Sequence, residues 1–399
     1  MRDPAPLPAA SRLRTLDGLR GFALLGILLV NILYWSGWAL MSPAQQVELA
    51  GEDGRRAFGF IERLLLDGKF YTLFSLLFGI GCALQLRRLG AEGHDGTRIY
   101  LRRMAVLLAI GWAHTLLVWD GDILVLYALL GLLLPWFAQM ADRSLLAWSA
   151  TLVFALPLAG QALFAGMGWD PGGRIIDASL RWFAAMGGDP ALDAGVRWLQ
   201  QAGWREQLEW NSTGTLFSWG LRIQTWRLPK VLGIMLLGLW AGRRIARGEL
   251  PGDARLLRRV LFGGLLVGLP ASLVYALLDD PGQSHWSSML GTVPLGLAYA
   301  AAFLLAWPRA QALLGLFVAP GRMPLTNYLM HSLVNGAVFF GVGSGWIGRL
   351  PLPLVYLYAI VLFAMQVLVS RWWLARHAQG PAEALWRRLT YPAGGASAP

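Results

Sequence analysis

Two polar residues in the first half of the chain have the types and spacing of a general-base pair. His114 ends one apolar run, and Asp122 follows Gly121 at the start of the next. A helical hairpin would bring the two side chains together. A carboxylate that holds one imidazole nitrogen leaves the other free to accept a proton. The pair predicts proton-transfer chemistry; the alternative is a buried, hydrogen-bonded histidine beside a helix-capping aspartate.

A second polar group stands at the start of the first apolar run, in the order Asp17, Arg20 and Asn31. In a helix, Asp17 lies one turn before Arg20, within range of an ion pair, and Asn31 lies three turns beyond Arg20 on the same face. Polar groups inside apolar spans are costly and therefore mark candidate sites. The alternative is an ion pair at the helix start, with Asn31 bonded between helices.

A third polar group follows Arg322. Asn327, His331 and Asn335 are spaced by four residues and form one polar face of a helix. The face could line a site, or it could be a polar interface between helices. Outside these groups, the sequence has no nucleophile elbow, zinc-protease motif, phosphate-binding loop or ligand spacing typical of metals. We expect no metal, and the one cysteine, Cys82, allows no intrachain disulfide.

The composition indicates the medium in which these groups lie. Of the 399 residues, 56% are hydrophobic and 14% charged, whereas soluble domains carry about 25% charged residues. This excludes a soluble enzyme, a disordered chain and a nucleic-acid-binding module. The formal net charge is +11, and only two of the 34 basic residues are lysines. Because the arginines stand between apolar runs, they indicate membrane topology rather than a nucleic-acid partner.

Apolar runs long enough to cross a bilayer predict about ten transmembrane helices. An open sheet cannot satisfy its backbone in lipid, so the fold class is an all-α polytopic membrane bundle. The predicted spans are 18–40, 62–84, 104–119, 122–140, 145–166, 228–242, 260–278, 287–307, 324–343 and 353–371.

The positions of the arginines predict orientation and domains. With both termini cytoplasmic, most of the 34 basic residues lie on the inner side. We divide the chain into an N-terminal half of five spans (1–166), an outer Trp-rich segment (167–227), and a C-terminal half of five spans with a cytoplasmic tail (228–399). Equally spaced arginine pairs in the two halves are compatible with a parallel repeat. The outer segment is expected to be partly helical, either as a membrane-surface cap or as a lid.

The combined motifs resemble a bacterial membrane family, the YeiB-like proteins with domain of unknown function 418. The matching stretches, together with His114, are RTLDGLRGFALLGILLVN at 14–31, GKFYTLFSLLFGIG at 68–81, GDILVLYALLG at 121–131, GRMPLTNY at 321–328 and GPAEALWRRLTY at 380–391. The resemblance covers nearly the whole chain. It implies a multi-pass protein of the bacterial inner membrane and says more about fold than about activity.

The first span is also distantly similar to membrane acyltransferases, namely acyltransferase family 3 and the heparan-α-glucosaminide N-acetyltransferase type. This similarity implies transfer of an acyl group, such as acetyl, from cytoplasmic acyl-CoA to an extracytoplasmic or lipid-embedded acceptor. Arg20 matches the arginine of acyltransferase family 3, but Asn31 stands where that family has a histidine. Asparagine is no base, so the base would be His114 supported by Asp122, or else His331.

The same resemblance assigns the remaining candidates. Arginines bind phosphates bidentately, so the acyl-CoA head would contact the inner-side arginines and the Asp17–Arg20 pair. Asn31, Asn327 or a backbone N–H could stabilise an oxyanion. The arginines concerned are Arg20, Arg87, Arg88, Arg102, Arg103 and Arg322.

The expected partners are the lipid bilayer and a small-molecule or glycan acceptor, with a homo-oligomer as an open alternative. The main alternative function is a transporter or exporter that moves a small molecule along a polar path between helices. A non-catalytic membrane partner is a third hypothesis.

Overall fold

The computed structural model describes residues 9–91, 95–191, 194–250, 252–279 and 281–391, with side chains from residue 14 onward. Within these ranges every regular element is helical, as the sequence predicts. The α-helices are α1 Ala9–Trp35, α2 Pro43–Ile61, α3 Lys69–Ala91, α4 Gly96–Leu117, α5 Leu124–Phe137, α6 Asp142–Ala150, α7 Leu156–Met167, α8 Pro171–Ala185, α9 Ala194–Gln201, α10 Trp204–Gln224, α11 Arg227–Ala246, α12 Ala254–Leu277, α13 Trp286–Ala306, α14 Gln311–Leu314, α15 Val318–Arg322, α16 Pro324–Phe339, α17 Leu352–Leu374 and α18 Pro381–Thr390.

Four short helical segments of other types complete the description. Two are 3₁₀ turns, Trp38–Leu40 and Gly315–Phe317. Two are π segments, Glu62–Leu66 before α3 and Thr151–Ala155 between α6 and α7. Gly68, with φ 76°, lies between the first π segment and α3. The chain can turn there because glycine alone adopts this left-handed conformation without strain.

Six helical stretches in the described residues are long and apolar enough to cross a membrane. They make this a membrane-type protein. The stretches are Arg14–Trp35, Pro43–Ala91, Asp142–Met167, Ala254–Leu277, Trp286–Ala306 and Leu352–Leu374. The other four predicted spans coincide with α4, α5, α11 and α16, which are shorter or carry more charge. The count of ten spans, the inner location of the termini and the two parallel halves therefore stay predictions.

Helix α1 is central to the packing. It contacts α3, α15, α16 and α17, while α4 and α5 form a hairpin beside them. Helices α3 and α11 approach each other closely because glycines face each other's backbone. A Cβ at Gly79 would overlap the carbonyl of Met235, and a Cβ at Gly238 would overlap that of Leu76. This close contact joins the two halves that the sequence predicts.

The Trp-rich segment forms three helices, α8, α9 and α10. Its expected partly helical character is confirmed. Helix α10 packs against α8 and α4. Three of its side chains bond to the last turn of α4, to the connector between α4 and α5, and to the end of α1. The bonds are Asn211 Nδ2 to the Leu116 carbonyl at 3.2 Å, Trp210 Nε1 to Tyr34 Oη at 2.7 Å, and Arg222 Nη2 to the Asp122 carbonyl.

Candidate functional site

The α4–α5 hairpin brings His114 and Asp122 into contact. Helix α4 ends just after His114, whose carbonyl accepts hydrogen bonds from the amides of Val118 and Trp119. The following connector returns the chain so that Asp122 Oδ1 lies 2.9 Å from His114 Nδ1. The His114 side chain is 3% exposed and the Asp122 side chain 0% exposed. We call these two residues the dyad.

Two further groups hold the carboxylate of the dyad in place. Tyr328 Oη donates to Asp122 Oδ1 at 3.1 Å, and the amide of Val125 donates to Oδ2 at 3.1 Å. Tyr328 also accepts a bond from the Ile123 amide at 3.2 Å, and its ring centroid is 5.7 Å from that of His114. A buried carboxylate with several donors is firmly oriented.

The second imidazole nitrogen of His114 is buried and has no hydrogen-bond partner among the described residues. With Asp122 on Nδ1, the favoured tautomer carries its proton there, and Nε2 is left with a lone pair. This is the arrangement of an oriented base. It is also a costly one, because a buried acceptor without a donor loses the hydration that it had in water.

A cavity of about 570 Å³ lies beside the dyad. It is enclosed by α1, α3, α4, α5, α16 and α18. Four arginines line it near one end of the bundle. They are Arg20 in the first half of α1, Arg88 near the end of α3, Arg103 in the first half of α4 and Arg322 at the end of α15. Apolar side chains form most of the wall, among them Phe74, Leu77, Phe78 and Leu107. We call this space the arginine cavity.

At its deep end, the arginine cavity is separated from the dyad by the Tyr328 side chain, which lines the cavity and bonds to Asp122. Ile123, Tyr127 and Tyr328 line the cavity, whereas His114 and Asp122 do not. Tyr328 is thus the only one of these cavity-lining side chains that bonds to the dyad carboxylate. Along α4, Arg103 and His114 are about 16 Å apart, since a helix rises 1.5 Å per residue.

The C-terminal helix α18 closes one side of the arginine cavity. Glu383 accepts bonds from the amides of Leu325 at 2.7 Å and Thr326 at 3.1 Å, and from the Thr326 hydroxyl at 2.6 Å. These amides belong to the first turn of α16, where a carboxylate is favoured by the helix dipole. Trp386 stacks on the Arg103 guanidinium at 4.0 Å and donates to the Arg103 carbonyl at 2.9 Å.

The Asp17–Arg20 pair forms as the spacing predicts. Arg20 Nη1 lies 2.6 Å from Asp17 Oδ1 and also donates to the Gly321 carbonyl at 3.2 Å. The pair therefore joins α1 to α15, and Arg20 lines the arginine cavity. Asn31 is half-buried further along α1 and is not among the residues that line the cavity. The structure does not bring Asn31 to the dyad through any hydrogen bond among the described residues.

The remaining predicted arginines fall into two groups. Arg88, Arg103 and Arg322 line the arginine cavity, and Arg322 also donates to the Ala378 carbonyl at 3.3 Å. Arg87 and Arg102 do not line it. Each lies one residue before an arginine that does, so helix rotation alone separates the two groups.

The polar face of α16 packs against α17 and not against the dyad. Asn327 Nδ2 donates to the Met323 carbonyl at 3.0 Å and to Ser370 Oγ at 3.1 Å. His331 Nε2 lies 2.8 Å from Gln366 Oε1. Asn335 is fully buried, and neither polar atom of its amide has a partner among the described residues. Asn327 and His331 thus lie apart from the arginine cavity.

Two groups near the dyad were not among the candidates from sequence. Tyr328 ends the GRMPLTNY stretch at 321–328, and its position next to Asn327 on the polar face was the available signal. Asp120 is 4% exposed in the α4–α5 connector, and its Oδ1 accepts a 2.7 Å bond from Tyr34. Burial raises the pKa of Asp120 to about 6. Its place in the short Trp-Asp-Gly-Asp connector was the available signal.

Comparison with known proteins places the chain in a family. The model described as "Protein of unknown function (DUF418)" matches residues 241–393. The "Uncharacterized protein YeiB" of Escherichia coli (strain K12) is 30% identical over 96% of this chain and 97% of its own length. The chain belongs to the DUF418 family. The predicted resemblance to YeiB-like proteins is confirmed.

A second relative matches over a similar length. The "Uncharacterized protein YxaH" of Bacillus subtilis (strain 168) is 28% identical over 97% of this chain and 96% of its own length. No solved structure matches the chain significantly. The wider similarity to membrane acyltransferases stays a prediction.

Proposed function

We propose that this DUF418 protein transfers an acyl group from acyl-CoA to an acceptor. One observation supports this above all: the arginine cavity has cationic side chains near one end, and Tyr328, bonded to the dyad, at the other. A donor with a phosphate-bearing head and a long arm has the matching shape and charge. Under the predicted orientation, the arginine end faces the cytoplasm, where acyl-CoA is made.

The charges near the arginine end suit a phosphorylated head. Guanidinium groups bind phosphate oxygens in a bidentate manner. Arg20 is neutralised in part by Asp17, and Arg322 donates only a long bond to a carbonyl. A volume of about 570 Å³ falls in the usual range for small-molecule sites, roughly 300–1,000 Å³. The apolar wall would enclose the arm and acyl chain of the donor.

The dyad supplies the base for the transfer step. His114 Nε2 takes the proton of an acceptor hydroxyl or amine as its oxygen or nitrogen attacks the thioester carbonyl carbon. The new C–O or C–N bond forms, the C–S bond breaks, and CoA leaves as a thiolate that takes the proton back from the imidazolium. Asp122 stabilises the imidazolium between these two transfers.

Tyr328 is the positioning residue in this proposal. Its side chain lies between the cavity and the dyad, so the thioester reaches His114 only when the Tyr328 side chain moves. Donor binding would thereby expose the base. Such coupling keeps a reactive imidazole away from water until the donor is present.

The test measures release of the CoA thiol from acetyl-CoA by inverted membrane vesicles that contain the protein. We expect His114→Ala to lower the protein-dependent rate about 10²–10⁴-fold, the range for loss of a general base. His377, which is exposed on the C-terminal side of α17, provides the matched control His377→Ala. Equal rates in wild type and His114→Ala would contradict the proposal, and loss only with His331→Ala would move the base to α16.

Transport is the second candidate function, and the polar face of α16 favours it. Buried atoms without partners among the described residues include His331 Nδ1, Ser332 Oγ and both amide atoms of Asn335. Unpaired polar atoms inside a bundle are typical of substrate or ion pathways. Solute counterflow in vesicles without acyl-CoA, abolished by Asn335→Leu and retained in His114→Ala, would support transport over acyl transfer.

A further inference from the structure

A second, smaller pocket lies beside the α4–α5 connector. Its volume is about 120 Å³, and α1, α8, α10 and the connector contribute to its lining. Tyr34 of α1 lines this pocket, whereas Arg20 of the same helix lines the arginine cavity. The two residues are about 21 Å apart along α1. We call this space the Asp120 pocket.

The carboxylate of Asp120 lacks a cationic partner in the part of the chain that the structure describes. Its Oδ1 accepts from Tyr34 Oη at 2.7 Å, and Tyr34 Oη accepts in turn from Trp210 Nε1 at 2.7 Å. Arg222, whose charge acts on Asp120, donates instead to the Asp122 carbonyl. A buried carboxylate is normally paired with a cation, because loss of hydration is otherwise uncompensated.

The rest of the pocket has the character of a cation site. Its lining includes Asp120 and no lysine or arginine. A second carboxylate at its rim, Asp189, is exposed and lies 3.8 Å from Arg197 Nη2, so Asp120 is the buried anionic group of the pocket. Aromatic rings contribute much of the wall, from Phe183, Trp210 and Phe217 as well as Tyr34. Ring faces attract ammonium groups, and the attraction grows when water is excluded.

We propose that the Asp120 pocket binds the primary ammonium group of a small polar molecule. Ethanolamine and amino sugars are compact molecules that carry such a group. In the proposed acyl transfer this molecule is the acceptor, and this acceptor role rests on the proposed function. Binding of the ammonium group does not depend on it.

The acceptor role also balances the reaction. An ammonium and a thioester give an amide, a thiol and one released proton. Asp120 takes the first proton from the ammonium, which leaves a neutral amine. The amine attacks the thioester carbonyl carbon, the C–N bond forms and the C–S bond breaks. His114 takes the second proton from nitrogen and returns it to the leaving thiolate.

The experiment is calorimetric binding to detergent-purified protein at pH 8 without acyl-CoA. The probes are ethanolamine and glucosamine, with ethylene glycol and glucose as their neutral counterparts. We expect the amines to bind at least about tenfold more tightly than the neutral molecules, or about 1.4 kcal/mol. Preference for ethanolamine would indicate a lipid headgroup as the source, and preference for glucosamine would indicate a sugar.

Two variants isolate the carboxylate. Asp120→Asn keeps the shape and should weaken amine binding at least about tenfold. Asp177→Asn removes an exposed carboxylate of α8 outside the pocket and should change binding less than about twofold. Should Asp120→Asn fail to fold, the wild-type pH profile gives the answer: amine binding should fall as pH drops below about 6, where Asp120 gains a proton. Tyr34, Asp189 and Arg222 are the other titratable groups that face Asp120.

The outcomes separate this inference from the proposed function. Equal binding of amines and neutral counterparts, or an unchanged affinity in folded Asp120→Asn, would overturn the ammonium site even if acetyl-CoA is consumed. Amine binding that depends on Asp120 would uphold the site even if the protein fails to bind acyl-CoA.

Discussion

Tyr328 and Asp122 join the arginine cavity to the dyad: the Tyr328 hydroxyl donates a 3.1 Å bond to Asp122 Oδ1, the oxygen that lies 2.9 Å from His114 Nδ1. One carboxylate oxygen thus contacts both a cavity-lining side chain and the candidate base. A ligand that displaces Tyr328 must also change the surroundings of His114. This relationship is the basis of the predictions about the site.

Removal of the Tyr328 hydroxyl should separate the cavity from the dyad. Tyr328→Phe loses the bonds to Asp122 and from the Ile123 amide, so we expect a loss of stability of about 1–3 kcal/mol, seen as a lower melting temperature in detergent. The acyl-transfer rate should fall more than the affinity for an acetyl-CoA analogue. The control is Tyr356→Phe, whose hydroxyl has no hydrogen bond among the described residues. Equal melting temperatures in the two variants would show that the Tyr328 bonds are not formed.

Asp120 should give the protein a characteristic pH dependence. Its pKa of about 6 in the folded protein exceeds the ordinary 3.8, because burial disfavours the charged form. The folded state therefore holds a proton more tightly than the unfolded chain, and stability from this group falls as pH rises from about 4 to about 6. At 1.36 kcal/mol per pKa unit, Asp120 lowers the free energy of unfolding by about 3 kcal/mol once the pH is well above 6.

The measurement is the difference in melting temperature between wild type and Asp120→Asn from pH 4.5 to 8. The difference isolates Asp120 from the other titratable groups around it, namely Tyr34, Asp189 and Arg222. We expect the asparagine variant to gain stability relative to wild type as pH rises through 6, with no further change above about pH 7. A difference that is constant across this range would mean that Asp120 does not titrate there.

The α3–α11 contact should tolerate no side chain at Gly79. A Cβ there would overlap the Met235 carbonyl, whereas a Cβ at Gly81, two residues later on the same helix, has nothing within 4 Å. We expect Gly79→Ala to cost about 1–3 kcal/mol through overpacking. Gly81→Ala should be neutral or stabilising by up to about 1 kcal/mol, because alanine favours helix. Melting curves of both variants provide the test. A lower melting temperature for Gly81→Ala than for Gly79→Ala would refute the close contact.

The C-terminal helix should depend on Glu383 for its attachment. Glu383→Ala removes three bonds to the first turn of α16, so α18 should detach more often and trypsin should cut faster at Arg387 and Arg388. We expect the cleavage rate to rise about tenfold, which corresponds to a loss of about 1.4 kcal/mol in the free energy that holds α18 against α16. Glu48→Ala, at an exposed glutamate of α2, is the control. Unchanged cleavage in Glu383→Ala would show that other contacts hold the helix.

The sequence predicted the local features of this protein better than its tertiary ones. Apolar runs located the helices, because hydropathy is a property of each segment. The contact of His114 with Asp122 followed from the short hairpin, and the Asp17–Arg20 pair from one helical turn. These relationships involve neighbours in sequence, whose geometry is set by the backbone.

The arginine cavity could not be predicted in the same way. A uniformly apolar helix does not reveal which face meets its neighbours, so nothing distinguished Arg103 from Arg102 or Arg88 from Arg87. The docking of α18 depends on Glu383 reaching α16 and Trp386 reaching Arg103, both far away in sequence. The position of Asn327 and His331 against α17 was likewise set by the packing of two distant helices.

The most direct test of the proposed function is equilibrium binding of a non-hydrolysable acetyl-CoA analogue to detergent-purified protein. Arg88→Gln and Arg103→Gln remove arginines that line the cavity, while Arg87→Gln and Arg102→Gln remove their neighbours in sequence, which do not line it. We predict saturable binding by wild type, weakened at least about tenfold by each cavity substitution, and unchanged within about twofold by each neighbour and by His114→Ala. No saturable binding at millimolar analogue by folded protein, or equal weakening by both members of each pair, would contradict an acyl-CoA site in the arginine cavity.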